Sequence, residues 1–344
     1  MSAYCSMVSE ERPSAQELAE LVPKAANRLR PYILRTPLLF SPPLSKETSA
    51  HVYLKLENEQ VSGSVKARGA FNRAVLMAAE GVKTVYVASS GNLALAAAIA
   101  FSTLGLKGKV VIPTNTDEDK KRRLKEESIL LVEHGTDFVH AETFAIKQAQ
   151  EAQEGYLSPT SDYQVMAGQG TTALEILEDL PQVDAVFVTV GGGALISGMA
   201  AYIKTHRPSC KVVGCSPFNS RVMHNLVHEG HTFNLEMQDT LSDATAGGVI
   251  KDAVTVPMCQ EFVDQWVLVD EEQIAEAICY CLKEHKKVIE GAAGVALAAF
   301  RKVSAAYVGK NVAVVICGAN ISMANVHILV NNNDKTKYIN EQKS

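Results

Sequence analysis

The sequence predicts an α/β fold built on mostly parallel sheet, and two observations carry that expectation. Short apolar runs alternate with helical patterns along the whole chain, and several runs are continuous Val/Ile/Ala segments without the alternation of a half-exposed strand. Strands of that kind are buried on both faces, the condition of a parallel sheet covered by its crossover helices.

In chain order, strands are expected over residues 52–56, 84–88, 109–113, 129–133, 184–190, 211–215, 265–269 and 311–316. Helices are expected over residues 16–29, 68–79, 92–104, 118–125, 144–154, 171–180, 195–205, 271–287 and 292–303. The most polar stretch, 114–127, sets Asp117, Glu118 and Asp119 ahead of Lys120, Lys121, Arg122 and Arg123. Acids at the start of a helix and bases toward its end complement the helix dipole, so this reads as a solvated helix rather than a binding surface.

Composition narrows the function classes. Of 344 residues, 47% are hydrophobic and 21% charged, the balance of a globular enzyme with room for a large core. A net charge of −5 gives no electrostatic reason to expect nucleic acid or an anionic membrane as partner. No apolar run is long enough to span a bilayer, and Glu10, Glu11 and Arg12 stand where a signal peptide would be apolar. The seven cysteines include no CxxC pair, and Cys279-Tyr280-Cys281 lacks a histidine or second pair to complete a metal knuckle. Structural thiols in a reducing compartment follow, which points to the cytoplasm.

The chemistry starts at Ser62-Gly63-Ser64-Val65-Lys66-Ala67-Arg68-Gly69-Ala70. One lysine sits there among small residues, between a strand and a helix. Desolvation can strip its proton and leave a nucleophilic amine able to form an imine with an aldehyde. Gly191-Gly192-Gly193-Ala194 links the strand at 184–190 to the helix at 195–205. Glycines at that junction expose backbone N–H groups beside a helix N-terminus, a cradle for a monophosphate. The run is neither a GxGxxG fingerprint nor a Walker loop. Ser89-Ser90-Gly91-Asn92 follows the strand at 84–88 and is expected to cap the helix after it, at the strand end where α/β enzymes place ligands. Cys317-Gly318-Ala319-Asn320 ends the last strand in the same way, where a functionless buried thiol is the plain alternative.

Together these segments resemble the fold-type II pyridoxal-phosphate enzymes, specifically the serine/threonine ammonia-lyase and serine racemase family. Ala167-Gly168-Gln169-Gly170-Thr171 and Ile289-Glu290-Gly291-Ala292-Ala293-Gly294-Val295 extend the resemblance over residues 16–330. It implies a tryptophan-synthase-β-like α/β architecture of two lobes, each an open, mostly parallel sheet flanked by helices. A large domain would comprise residues 1–83 and 161–344, and a small one 84–160. It also implies a pyridoxal 5′-phosphate cofactor, an amino-acid substrate and a homodimer.

The resemblance further assigns roles to residues. Lys66 matches the lysine that bonds the cofactor and returns as base, and Asn92 the hydrogen-bond partner of the ring oxygen. Gly191, Gly192, Gly193 and Ala194 match the phosphate loop, with alanine in its fourth place tolerable if φ stays negative. Cys317 matches the position facing the ring nitrogen, where a weak neutral partner favours β-elimination or α-reprotonation over transamination. Ser90 matches the acid/base that racemases set opposite the lysine, so racemisation stays open beside elimination. Ser89, Ser90, Gly91 and Asn92, with Ser158 and Thr160 of the loop 158–163, would meet the substrate.

The sequence also departs from the family. Val65 stands where an aromatic residue is usual, and Leu93 where histidine is common. Ser216, before Pro217, replaces the glutamate of the racemases' divalent-cation site, so no metal is expected. The stretches 214–224 and 240–249 look more like bacterial-type dehydratases than vertebrate serine racemase, which puts ammonia-lyase first. Serine, threonine and acidic relatives stay open as substrates, and a catalytically silent cofactor-binding protein remains the reading from another class.

Overall fold

The computed structural model describes residues 13–127, 129–232, 238–250 and 253–331. The chain opens with α1 (Ala15–Leu29), β1 (Leu38–Phe40), α2 (Pro42–Thr48), β2 (His51–Lys55) and α3 (Lys66–Ala79). An alternating segment follows: β3 (Thr84–Ala88), α4 (Asn92–Leu104), β4 (Lys107–Ile112), α5 (Glu118–Lys125), β5 (Ile129–Glu133), α6 (Phe138–Ala152) and β6 (Gly155–Tyr156). The chain returns through α7 (Tyr163–Asp179), β7 (Ala185–Thr189), α8 (Ala194–His206), β8 (Lys211–Pro217) and α9 (Val222–Glu229). It then runs through α10 (Thr255–Phe262), β9 (Gln265–Val269), α11 (Glu271–His285), α12 (Gly291–Val303) and β10 (Asn311–Val315).

These strands form two sheets. The larger has the order β1-β2-β10-β7-β8-β9, parallel throughout except for the antiparallel β1 at its edge. The smaller is all parallel, in the order β5-β4-β3-β6, and draws its strands from residues 84–156. Val312 lies between Val52 and Ala185 across the middle of the larger sheet, and all three are buried, as are all five residues of β3. Continuous apolar strands are therefore central strands. β2, β10 and β7 are neighbours, so the segments after them emerge side by side at the carboxyl edge, about 5 Å apart per strand.

Several elements differ from expectation for physical reasons. β1 and β6 are three and two residues long, too short to show a period. α2 and α10 carry prolines, at Pro42 and Pro43 and at Pro257, that read as loop. α9 is only eight residues. α6 starts at Phe138, not 144, because Asp137 caps it by accepting from His140 N at 2.9 Å. α7 starts at Tyr163, not 171, capped by Asp162. Gly168 and Gly170, which weaken a helix in isolation, are crossing points within this one. A Cβ on Gly170 would stand 2.8 Å from the Gly198 carbonyl of α8, so the two backbones touch.

Candidate active site

Lys66 is the first residue of α3, two residues earlier than the pattern placed the helix. Its loop is stitched to the segment after β10: Ser64 bridges Gly318, Val65 N donates to Cys317 O at 2.9 Å, and Ala319 N donates to Gly63 O at 2.9 Å. β2 and β10 being adjacent, this pairing brings Lys66 up to Cys317. Burial pushes the Lys66 amine down, with Cys317 and Glu290 opposing. Burial likewise pushes the Cys317 thiol up, with Glu290 adding to the effect, so sulfur stays neutral and protonated.

The glycine run follows β7 on the far side of β10. Gly193 is the N-cap of α8 at φ +90°, a conformation that favours glycine, and no side chain caps this helix. Its N-terminal N–H groups are left to a ligand. Ala194 keeps a negative φ, as an alanine in that place requires. Gly191 faces Thr245, and Gly192 faces Thr160, whose Cγ2 lies 2.7 Å from where a Cβ would be. Among the described residues, the buried Thr160 hydroxyl has no hydrogen-bond partner.

The loop after β3 caps α4 as expected, but through Gly91 and without a side-chain hydrogen bond; Asn92 begins the helix, and Ser89 Oγ accepts from Gly91 N at 3.2 Å. Ser89, Ser90 and Gly91 are half-buried. Among the described residues, Ser90 Oγ has no hydrogen-bond partner. Leu93 is buried in the apolar cluster beneath α4. Ser158 is engaged in its own loop, accepting from Thr160 N at 3.3 Å and Ser161 N at 2.9 Å.

Two further residues complete the site. Glu290, the N-cap of α12, makes no cap hydrogen bond; its carboxyl turns to Asn92 Nδ2 at 2.7 Å and to Asn320 N at 3.1 Å. Burial pushes its pKa up to about 7, against the donors Asn92 and Asn320 and the Lys66 amine, while Asp243 adds to the rise. Asn320 Nδ2 donates to Asn92 Oδ1 at 2.7 Å and to Ser62 O at 3.1 Å. A single acid inside the apolar run 288–300 was the signal available in the sequence, since an unpaired carboxylate is seldom placed there without cause.

Behind Lys66 lies a buried ion cluster. Arg68 donates to Glu57 and Glu175, with Nη contacts of 2.7 Å to each, and Lys55 Nζ lies 2.5 Å from Glu175. Burial works against the charge on Arg68, but the two carboxylates outweigh it and hold the guanidinium above its usual range. Burial pushes Lys55 down despite Glu175. The cluster fastens α3 to α7 and to the end of β2, and so fixes where Lys66 stands.

The site fits the group that the motifs imply. A desolvated amine could supply a covalent anchor, and a helix N-terminus without a side-chain cap, after a positive-φ glycine, could cradle a phosphate. An asparagine with an uncommitted N–H can serve the ring oxygen, and a neutral thiol the ring nitrogen.

Comparison with known proteins agrees with that fit. Residues 29–318 match the family described as pyridoxal-phosphate dependent enzymes. The chain is 36% identical over 314 residues to an L-threonine ammonia-lyase of Thermotoga maritima, spanning 91% of this chain and 78% of that one. Among solved structures it is similar to a threonine deaminase from T.th., with a TM-score of 0.81 and 31% identity over 90% of this chain and 99% of that one. It is also similar to maize serine racemase, with a TM-score of 0.83 and 26% identity over 95% and 99%. Matched along most of its length and carrying a site shaped for the cofactor, the chain belongs to the pyridoxal-phosphate-dependent enzyme family, with the fold-type II architecture.

Proposed function

We propose that the protein is an ammonia-lyase that removes the β-hydroxyl of L-threonine or L-serine and releases a 2-oxo acid and ammonia. The observation that carries the reading is Lys66, a buried amine held low by desolvation beside a neutral Cys317. Lys66 would hold the cofactor, Asn92 its ring oxygen, Gly191, Gly192, Gly193 and Ala194 its phosphate, and Cys317 its ring nitrogen. Bound pyridoxal phosphate supplies an electron sink for a carbanion at the substrate's Cα. Lys66 Nζ takes the Cα proton, for which a neutral amine is required. The neutral Cys317 thiol would offer a ring nitrogen bound there no full countercharge, which favours loss of the β-hydroxyl over transamination. Ser89, Ser90, Gly91 and Asn92 would border the substrate at the end of β3, with Ser158 and Thr160 beside them after the neighbouring β6. The buried, unpartnered Thr160 hydroxyl is free to meet substrate or phosphate.

Racemisation is the second reading, favoured by one observation: Ser90 Oγ is half-buried and uncommitted, able to return a proton to the face opposite Lys66. The relatives named serine racemase fit it. Under the same proposal, residues 84–160 form the small domain and the remainder the large one, supported by the smaller sheet lying wholly within 84–156. The protein acts as a homodimer in the cytoplasm, supported by its family motifs and by the free thiols of Cys210, Cys215, Cys259, Cys279, Cys281 and Cys317. Among the described residues, no helix is long and apolar enough to cross a membrane.

The test is a substrate panel. Purified protein with L-threonine or L-serine should yield 2-oxobutanoate or pyruvate with equimolar ammonia, and chiral chromatography of the same mixture reports any D-isomer. Absence of oxo acid from every substrate, in protein carrying its cofactor, would overturn the lyase reading. Lys66→Ala should lose both turnover and the visible absorbance of the bound cofactor.

A further inference from the structure

The residues around Asn92 form a polar chain whose direction is set by its two ends. Arg123, on α5, is a donor only, and its Nη2 reaches Asn320 Oδ1 at 3.1 Å. That contact obliges the Asn320 amide to turn its Nδ2 the other way, where it donates to Ser62 O and to Asn92 Oδ1. Asn92 must then point Nδ2 away from Asn320, and that nitrogen donates to Glu290 Oε1. Glu290 closes the chain by accepting from Asn320 N as well. An asparagine amide has one carbonyl oxygen and two N–H groups, so one Asn92 N–H remains uncommitted. Arg123, a donor only, and the Ser62 carbonyl, an acceptor only, together fix the Asn320 amide, and Glu290 fixes that of Asn92; without these partners both amides could rotate by half a turn and offer a carbonyl oxygen in its place.

We propose that Arg123 and Glu290 are positioning residues which, acting through Asn320, lock the Asn92 amide so that it presents an N–H to the cofactor's ring oxygen. An Asn92 turned the other way would set its carbonyl against that electron-rich oxygen, oxygen to oxygen. The chain joins segments far apart in sequence: Arg123 and Asn92 belong to the smaller-sheet half, while Asn320 and Glu290 follow the last strand and cap α12 of the larger. Orientation of the cofactor contact is thereby tied to the two halves being together. Protonation of Glu290 would weaken the lock, because a carboxylic acid can donate where the carboxylate only accepts. The groups that face it are Lys66 on α3, Asp243 of the 3-10 turn Asp243–Thr245 and Cys317 after β10, so its charge is balanced by one amine against one carboxylate.

The inference rests on where the proposed function places the cofactor, and not on any substrate, so it is tested without turnover. Cofactor-free protein is titrated with pyridoxal phosphate and the dissociation constant measured for Glu290→Gln, Arg123→Met and the double variant. Each single substitution should weaken binding on the order of tenfold, the range expected for a hydrogen bond to a charged group. The double variant should be no weaker than the weaker single, because both act on one amide. The ratio of Glu290→Gln to unsubstituted dissociation constants should grow as pH rises through the Glu290 ionisation. Lys109→Met, which removes an ion pair within the smaller-sheet segment (Lys109 Nζ to Glu154, 2.7 Å) away from this chain of hydrogen bonds, serves as control and should leave affinity unchanged. Unchanged affinity in Arg123→Met, strictly additive losses, a pH-independent ratio, or an equal loss in Lys109→Met would each overturn the proposal. If Glu290→Gln fails to fold, the partly exposed Arg123 and its control still decide between the outcomes.

Discussion

At the scale of single residues, burial sets the protonation states on which the chemistry depends. Burial pushes the Lys66 amine down, keeps the Cys317 thiol neutral, and raises the Glu290 carboxyl to about 7. Because the folded pKa of Glu290 is raised, to about 7, the fold favours its protonated form. The stability this supports is complete below the ordinary carboxylate range and is lost as pH rises through about 7. Glutamine cannot ionise and does not share that loss. The melting temperature of cofactor-free Glu290→Gln, measured against the unsubstituted protein, should therefore climb between about pH 5 and about pH 8; a flat difference would show that Glu290 does not ionise in this range. Ser90→Ala should reduce D-isomer formation far more than oxo acid release, since elimination needs only the Lys66 side of the substrate, and equal losses in the two rates would assign Ser90 to binding.

At the scale of elements, two devices hold α3 where Lys66 must stand. One is the Arg68, Glu57, Glu175 and Lys55 cluster, where each charge is buried only because its partners are. Arg68→Met leaves two carboxylates beside one lysine, and denaturant unfolding should show a loss of about 3–5 kcal/mol, the cost of breaking a buried pair. A loss below about 1 kcal/mol would mean the cluster is wet enough to be screened. The other device is backbone contact between α7 and α8. A Cβ on Gly198 would collide with the Met166 carbonyl, so Gly198→Ala should cost about 1–3 kcal/mol by overpacking, with urea midpoints as the measure. The same contacts explain why the start of α7 was not legible: Gly168 and Gly170 read as helix breakers in isolation, and only the neighbouring helices show what they are for.

At the scale of the whole molecule, the site is an assembly of segments from both sheets. Lys66, Cys317 and the glycine run leave neighbouring strands of the larger sheet, while Asn92, Ser90 and Arg123 come from the smaller-sheet half. A ligand that binds this assembly and not the unfolded chain must stabilise it by mass action. Raising pyridoxal phosphate to a hundredfold above its dissociation constant should add about 2.7 kcal/mol, read as a concentration-dependent rise in melting temperature. Lys66→Ala should blunt that rise, and an undiminished rise would place the cofactor's main hold elsewhere.

The sequence by itself determined the parallel α/β fold and the central strands, and it displayed the candidate carriers of chemistry. Apolar runs at 84–88, 184–190 and 311–316, with Asn92 and the Gly191–Gly193 run after strands and Lys66 at the head of a helix, are local patterns that the pleat and the helix period impose. It also displayed Glu290 and Asn320 within recognisable motifs without disclosing their task. Their partners lie 198 and 228 residues from them along the chain, at Asn92. Only the tertiary structure decided that task, and with it the lock on Asn92, the ion cluster beneath Lys66 and the helical glycines of α7. Hydrogen-bond direction and burial are properties of what surrounds a residue in space, and no local pattern records them.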